Sequence, residues 1–180
     1  PMDKKEIVSL LNDAHQSFAD YLAGLDEHDF LFAKEGKWSA GQQLDHIIKS
    51  VAPVNMAMGL PRFILKWKFG IANRPSKTYE ALVAKYKDKL SAGGRSTARF
   101  TPSVVNYSQK ASLLHTLESL TKKLCKKVTT ASDESLDTYI LPHPLLGKLT
   151  LREMLYFTAY HVQHHQLLIQ QALTENERKA

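Results

Sequence analysis

The spacing of hydrophobic residues predicts four long helices and no convincing strand. Along residues 3–23, 39–51, 107–128 and 150–173, hydrophobic side chains recur every three to four positions, as they do on one face of an α-helix. Shorter helical patterns lie within residues 61–91, between the second and third long ones. We therefore predict an all-α fold, a four-helix bundle with a short helical insertion between its second and third long helices.

Local sequence marks where two of these helices begin. Ser39 and Gln42 occupy the N-cap and third positions of a capping box, and Thr150 and Glu153 do the same for the last helix. Pro53 interrupts the second pattern, and because proline lacks a backbone N–H it predicts a kink or an end there.

Length and composition bound the class of protein. With 180 residues, 43% of them hydrophobic and 23% charged, the chain is expected to form one domain over residues 1–180. Its single cysteine, Cys125, excludes an intrachain disulfide and favours a reducing compartment. We find no secretory signal near residue 1 and no apolar run of about 18 residues, so we expect a cytoplasmic protein without membrane insertion.

The net charge of +6 is mild and is the only feature that would favour a nucleic-acid partner, so we expect none. There is no zinc-finger spacing and no aromatic ribonucleoprotein signature, and the lysines of residues 122–127 are better explained as a solvated helix face. The segment Phe63–Phe69 is basic and aromatic. We interpret it as a covering helix or a dimer contact in preference to a membrane contact.

The last predicted helix carries two histidines that point the same way. His161 and His165 are four residues apart, which separates them by about 40° around the helix axis. They share a stripe with Met154, Phe157 and other hydrophobic residues, so both imidazoles are expected to face the core. A buried imidazole needs a hydrogen-bond partner or a metal ion. His164 lies at the margin of the stripe and is the weaker candidate.

The same helical phase makes two further predictions for this helix. It places Leu168 on the inward stripe, and it places Arg152 on the opposite, polar face.

A metal site would need a third ligand from another helix. His46 lies near the edge of the hydrophobic stripe of the second helix, so periodicity alone does not select it. His15 on the first helix and His115 on the third are the competing candidates.

Two stretches of the chain resemble the DinB-like superfamily. Residues 38–46, WSAGQQLDH, are similar to that superfamily's Trp-Ser-x-Gly-x-x-Leu-x-His pattern, and residues 143–165 resemble its C-terminal motif. The resemblance implies an up-down-down-up four-helix bundle. It also implies a metal site formed by His46, His161 and His165. The long insertion around residues 61–103 departs from the commonest members and affects how a substrate would reach the site.

Three neutral imidazoles leave an open position on a divalent ion, which suits zinc or nickel. The resemblance implies a metal-dependent hydrolase or a thiol-dependent S-transferase that uses a low-molecular-weight thiol, with a small molecule as substrate. We expect His164 to be a candidate proton shuttle and Gln42 a candidate for orienting His46.

Two other functions remain open. The bundle can have kept the histidines without activity, as a metal-stabilised or stress-related binding protein. Alternatively, the Phe63–Phe69 segment and the lysine-rich third helix can make it mainly a dimeric interaction module. Whichever function holds, we expect a homodimer.

Overall fold

The structure is a computed structural model that describes residues 1–178, and most of these residues are helical. In chain order the elements are α1 (Lys4–Ala23), α2 (Glu27–Leu31), α3 (Ala40–Gly59), α4 (Arg62–Phe69), α5 (Tyr79–Ser91), α6 (Lys110–Thr130), α7 (Asp133–Thr138), β1 (Ile140–His143), β2 (Gly147–Thr150) and α8 (Leu151–Glu177). Short 3-10 turns occupy Ala98–Phe100 and Tyr107–Gln109. The predicted all-α class is thus confirmed as a mostly helical fold, and α4 and α5 form the predicted helical insertion.

The four long helices pack against one another around one core. Helix α1 contacts α6 and α8, and α3 contacts the same two helices. Among the largest fully buried side chains, at least one comes from each long helix: Phe18, Leu44, Leu124 and Tyr156. Each such burial of a large apolar side chain is worth about 1.5–3 kcal/mol. Phe18, Leu44 and Leu124 lie on the stripes predicted from the sequence, whereas Tyr156 lies outside the predicted stripe of α8 and is buried all the same.

The two predicted capping boxes are confirmed. The Ser39 hydroxyl accepts from the backbone N–H of Gln42 at 3.2 Å, and the Gln42 side chain accepts from that of Ser39 at 3.0 Å. Thr150 and Glu153 make the equivalent pair of bonds at 3.1 and 2.8 Å. These bonds satisfy backbone donors that the first turn of a helix leaves unpaired, and they set where α3 and α8 begin.

Of the two outcomes predicted at Pro53, a kink or an end of the helix, the end is wrong. Helix α3 continues through Pro53 to Gly59. Proline removes one backbone donor, but Val51, Val54 and Met58 are buried on either side of it. Their burial holds the helix together across the missing hydrogen bond.

The expectation of no strand also needs correction. Strands β1 and β2 form an antiparallel hairpin in which Ile140 pairs with Thr150 and His143 with Gly147. Gly147 has a φ of 75°, which glycine adopts without a steric penalty. Each strand has four residues, too few for an alternating pattern to stand out in the sequence.

Helix α8 is buried on more sides at its start than the sequence predicted. Arg152, expected on the polar face, is only 3% exposed and pairs with Asp133 and Asp137 while donating to the carbonyl of Met2. Leu168, expected inward, is 39% exposed. Arg152 is buried because α7 and the start of the chain cover the first turns of α8, so both faces are enclosed there.

A buried carboxylate joins the insertion to α8. Glu153 has no exposed side-chain surface and accepts hydrogen bonds from both terminal nitrogens of Arg74, at 2.8 and 3.0 Å. It also accepts from the backbone N–H groups of Lys77 and Thr150. Burial by itself raises the pKa of Glu153, but these hydrogen bonds outweigh burial and hold the pKa below its ordinary value.

Within residues 1–178, no helix combines the length and the hydropathy needed to cross a bilayer.

Candidate metal centre

Three imidazoles meet where α3 faces α8. The Nε2 atom of His161 lies 3.1 Å from Nε2 of His46 and 3.1 Å from Nε2 of His165. One ligand atom from each of the three residues lies within 4.8 Å of the others, and all three residues are buried. The structure therefore brings together the three residues predicted as metal ligands. Their role as ligands stays a prediction.

The position of His46 has a structural cause that periodicity missed. Helix α3 packs against α6 on one side and α8 on the other, so its buried face is wider than its hydrophobic stripe. His46 lies at the edge of the stripe, beside buried Leu44 and Ile47, and that edge is the part that faces α8.

The first of the three rings is held by the insertion. Nδ1 of His46 lies 2.7 Å from the backbone carbonyl oxygen of Phe100, in the 3-10 turn Ala98–Phe100. Because a carbonyl oxygen only accepts, Nδ1 of His46 carries the proton and donates it. In the neutral ring Nε2 is therefore a free lone pair directed at His161.

The ring of His165 is held by Gln43, which was not among the residues predicted for the site. Nδ1 of His165 lies 2.9 Å from Oε1 of Gln43. The Gln43 amide nitrogen donates to the carbonyl of Trp38 at 3.3 Å, which orients its oxygen toward the ring. The expectation that Gln42 orients His46 is wrong, because the Gln42 side chain caps α3. Gln43 precedes His46 by three residues, so both side chains lie on the same face of α3, and this spacing was the signal in the sequence that could have indicated Gln43.

The arrangement of lone pairs fits a cation. With Nδ1 protonated on His46 and His165, two Nε2 lone pairs point at Nε2 of His161. A single proton on that atom can satisfy only one of them at a time, whereas a cation between the three rings accepts all three. Nitrogens about 2.0–2.1 Å from a tetrahedral zinc ion are roughly 3.3 Å apart, close to the observed separations.

The surroundings keep these rings in the neutral form that a metal needs. Burial, and then the neighbouring imidazoles, lower the pKa of His161 and of His165 well below the ordinary value. Burial also lowers the pKa of His46, although its hydrogen bond to Phe100 acts in the opposite direction. A ring with a depressed pKa is neutral at pH 7, so no proton has to be displaced before a metal binds.

Aromatic side chains cover the three rings. Trp38 stacks on His165 with ring centroids 6.5 Å apart, and Phe157 stacks on His161 at 4.8 Å. Tyr86, from α5, presents its ring edge-on to His161 at 6.3 Å. This cover excludes water from most of the surface of the three imidazoles, so polar interactions between them are stronger than in water.

His164 lies outside the three-nitrogen group. Its ring centroid is 5.3 Å from that of His165, and the ring stacks on Tyr160 at the partly exposed edge of α8. Burial lowers its pKa, as do the nearby His46 and Lys87. Its role as a proton shuttle stays a prediction.

The competing third ligands lie elsewhere. His115 is exposed on α6. His15 is buried in α1, where its Nδ1 donates to the carbonyl of Leu11 at 2.7 Å. Its Nε2 is buried without a hydrogen-bond partner among residues 1–178, and burial lowers its pKa to about 4. His15 is therefore a core histidine.

The low pKa of His15 predicts a dependence of stability on pH. An unfolded histidine binds a proton below about pH 6.5, but folded His15 does so only near pH 4. Stability is thus lost as pH falls between these values, by about 3 kcal/mol from this residue. Urea unfolding of the wild type and His15→Leu from pH 7 to pH 4 should show a smaller loss in the variant.

The matched control for this experiment is His115→Leu, which removes an exposed imidazole. If the His15→Leu and wild-type curves stay parallel across this pH range, the assignment of His15 as a neutral core residue is wrong.

His143 contacts the site indirectly. Its Nδ1 accepts from the backbone N–H groups of Leu145 and Leu146 in the hairpin turn, and its ring lies 4.3 Å from that of Phe157. Burial, and then Lys85, lower its pKa to about 4. It stabilises the hairpin turn, and it also supports the ring that stacks on His161.

Cys125 is not placed for chemistry at the site. Its thiol is buried in α6 and bonds to Oδ1 of Asn12 at 3.4 Å, and burial raises its pKa to about 11. It is a protonated core thiol at neutral pH.

Fold and site together define a mostly helical protein with a buried three-histidine cluster of the kind that can hold a metal ion. The chain matches the sequence model of the DinB superfamily over residues 10–169, and it belongs to this superfamily. The match spans both stretches that carried the resemblance. A search of curated proteins finds no significant match.

Proposed function

We propose that the chain is a metal-dependent enzyme that holds a divalent ion, zinc or nickel, through His46, His161 and His165. The observation that carries this proposal is the convergence of three Nε2 atoms, with two of the rings fixed through Nδ1 so that their lone pairs point inward. Structural zinc sites use four protein ligands, whereas catalytic sites use three and leave a position open. Within residues 1–178, no cysteine or carboxylate joins the three-histidine group.

The reaction that we propose is hydrolysis or thiol-dependent transfer on a small molecule. When bound, a divalent ion supplies Lewis acidity and lowers the pKa of a coordinated water or thiol. Phe100 and Gln43 hold the orientation of two imidazoles, while Trp38, Phe157 and Tyr86 exclude solvent around them. His164, at the partly exposed edge, is the candidate for moving protons between the site and solvent.

The substrate is expected to be small. The three histidines are 4%, 5% and 6% exposed, so little of the site is open to solvent. Burial raises the pKa of Tyr86 to about 12, which keeps its hydroxyl protonated at neutral pH beside His161. A low-molecular-weight thiol fits these conditions better than a macromolecule.

A turnover screen tests this proposal. Protein loaded with zinc or nickel would be assayed with thiol and electrophile pairs and with small esters and amides, beside His161→Ala. We expect turnover that a chelator removes and added metal restores, and none in the variant. Stoichiometric metal binding without turnover on any substrate would instead favour a metal-stabilised binding protein. Failure to bind either metal would overturn the whole proposal.

Replacing Gln43 tests whether its hydrogen bond orients His165. Loss of an outer partner of a metal-bound histidine costs about 10–100-fold in metal affinity. We expect that loss for Gln43→Ala, measured by titration calorimetry with zinc. The matched control is Gln42→Ala, one residue earlier, which removes half of a capping box and should leave the affinity within about threefold. Equal effects of the two substitutions would mean that Gln43 acts only through helix stability.

We also propose the up-down-down-up order of the four long helices. Ser17 of α1 contacts Gln166 of α8, and Met2 contacts Tyr156, which favours a parallel pair. Lys4 reaches the end of α6 at Ala131, which favours an antiparallel pair. Gln43 contacts His165 and His46 contacts His161, which favours an antiparallel pair of α3 and α8. Asn55 contacts Lys127 near the ends of both helices, which favours a parallel pair of α3 and α6. We further propose that the chain forms a single domain and that two copies form a homodimer.

A further inference from the structure

Helix α4 has a second apolar face that nothing in the described chain covers. Its inner side chains attach it to the protein: Leu65 is fully buried, and Phe69 packs partly against the core. Phe63 and Trp67, four residues apart on the other side, are 73% and 85% exposed. An aromatic pair at this spacing lies on one face of the helix, so both rings protrude together.

The charge around this aromatic pair has one sign. Helix α4 contains Arg62, Lys66 and Lys68 and no acidic residue, and residues 46–79 of the sequence contain neither aspartate nor glutamate. Lys66 and Lys68 are exposed, and neither makes an ion pair within residues 1–178. The apolar face is therefore bordered by free ammonium groups.

The helix is held firmly in place, so it presents this face without a further folding cost. The Arg62 guanidinium donates to the Ser135 hydroxyl at 2.8 Å and to the carbonyls of Met58 and Leu60. At the other end, Gly70 closes the helix with a φ of 86°. Ile71, directly after it, is a further exposed hydrophobic residue, with 50% of its surface open to solvent.

The exposed aromatic pair and its basic border favour an occupant other than the dimer contact expected from the sequence. A second copy of the chain docking through the same face in a two-fold dimer would bring together two helices that each carry basic and no acidic residues, so like charges would meet. An anionic lipid surface instead accepts both ammonium groups, while tryptophan and phenylalanine side chains enter the headgroup boundary. We propose that α4 docks the protein on anionic membrane surfaces, with Phe63 and Trp67 inserted at the interface and Lys66 and Lys68 on lipid phosphates.

Vesicle co-sedimentation of the full chain tests this docking. We expect binding to vesicles of phosphatidylcholine mixed with phosphatidylglycerol and little binding to phosphatidylcholine alone, with a blue shift of Trp67 fluorescence in a Trp38→Phe background. Trp67→Ser should weaken binding at least about tenfold, because it removes the larger of the two aromatic side chains that the vesicle would bury. Lys66→Gln and Lys68→Gln should each weaken it about fivefold, with further loss in high salt.

Matched controls come from other exposed positions. Val104→Ser removes an apolar side chain that is 82% exposed, and Lys123→Gln with Lys126→Gln removes two exposed charges from α6. Both controls should sediment like the wild type. Equal binding to both vesicle types, or binding that survives Trp67→Ser, would overturn the proposal. A monomer–dimer equilibrium that responds to Trp67→Ser, without vesicle binding, would overturn it in favour of a second copy.

Discussion

Replacing His161 with alanine is expected to abolish the binding of divalent metal ions. His161 is the central member of the group, because its Nε2 lies 3.1 Å from the Nε2 atoms of both other histidines. Loss of an outer partner costs about 10–100-fold in metal affinity, so loss of a ligand should cost more than about 100-fold. Titration calorimetry of metal-free protein with zinc and with nickel measures this directly.

Thermal unfolding provides a second measurement of the same prediction. A ligand at about a hundred times its Kd stabilises the folded state by about 2.7 kcal/mol, so added metal should raise the Tm of the wild type. Comparing each variant with and without metal removes any effect of the substitution on the metal-free protein. His161→Ala, His46→Ala and His165→Ala should show no metal-induced rise. His164→Ala is the matched control and should keep it.

One outcome would reassign the site. If His164→Ala abolished metal binding while His165→Ala did not, the ligand on that turn of α8 would be His164, and the tautomer assigned through Gln43 would have no bearing on the metal.

Replacing Glu153 with alanine is expected to cause a large loss of folding stability at pH 7. The substitution leaves Arg74 without its partner and removes the acceptor for the backbone N–H groups of Lys77 and Thr150. Breaking a buried ion pair costs about 3–5 kcal/mol. We expect about 3 kcal/mol, because Arg74 is partly exposed and regains water.

Urea unfolding at pH 7 measures this loss. Glu153→Gln keeps an acceptor for the helix cap but loses the charge, so its free energy of unfolding should fall between those of the wild type and the alanine variant. Glu118→Ala removes an exposed glutamate that pairs with Lys122 on α6, and it should leave the unfolding midpoint unchanged. A Glu153→Ala variant as stable as the wild type would mean that the other contacts of the insertion are enough to hold it to α8.

The parts of the site that the sequence predicted are those that depend on regular helices. His161 and His165 lie on a helix of 27 residues whose inward face is repeated over many turns, so their direction could be calculated. His46 could not be chosen from periodicity, because the faces that α3 buries depend on two neighbouring helices. The resemblance to the DinB-like superfamily supplied that choice.

The misplaced residues have a different cause. Arg152 was expected to be exposed because the helical pattern describes one helix with one buried face. At the start of α8, Arg152 also contacts α7 and the first residues of the chain. Contacts between segments so far apart in sequence cannot be predicted from the pattern of one helix. The carbonyl of Phe100 was missed for the same reason, since no local pattern specifies it. The spacing of Gln43 from His46 placed it on the same face of α3, but its partner His165 lies on another helix.

The segment that supplies the Phe100 carbonyl is tied to α3 at three further points. Lys49 donates to the carbonyl of Thr101 and to the hydroxyl of Ser103, and Asp45 accepts from the backbone N–H of Ser103. Any amino acid can provide a backbone carbonyl, so the residue at position 100 can change during evolution. The position of the backbone at residue 100 cannot change without loss of the hydrogen bond to His46. Selection should therefore act on the length of this loop and constrain the identity of residue 100 only weakly.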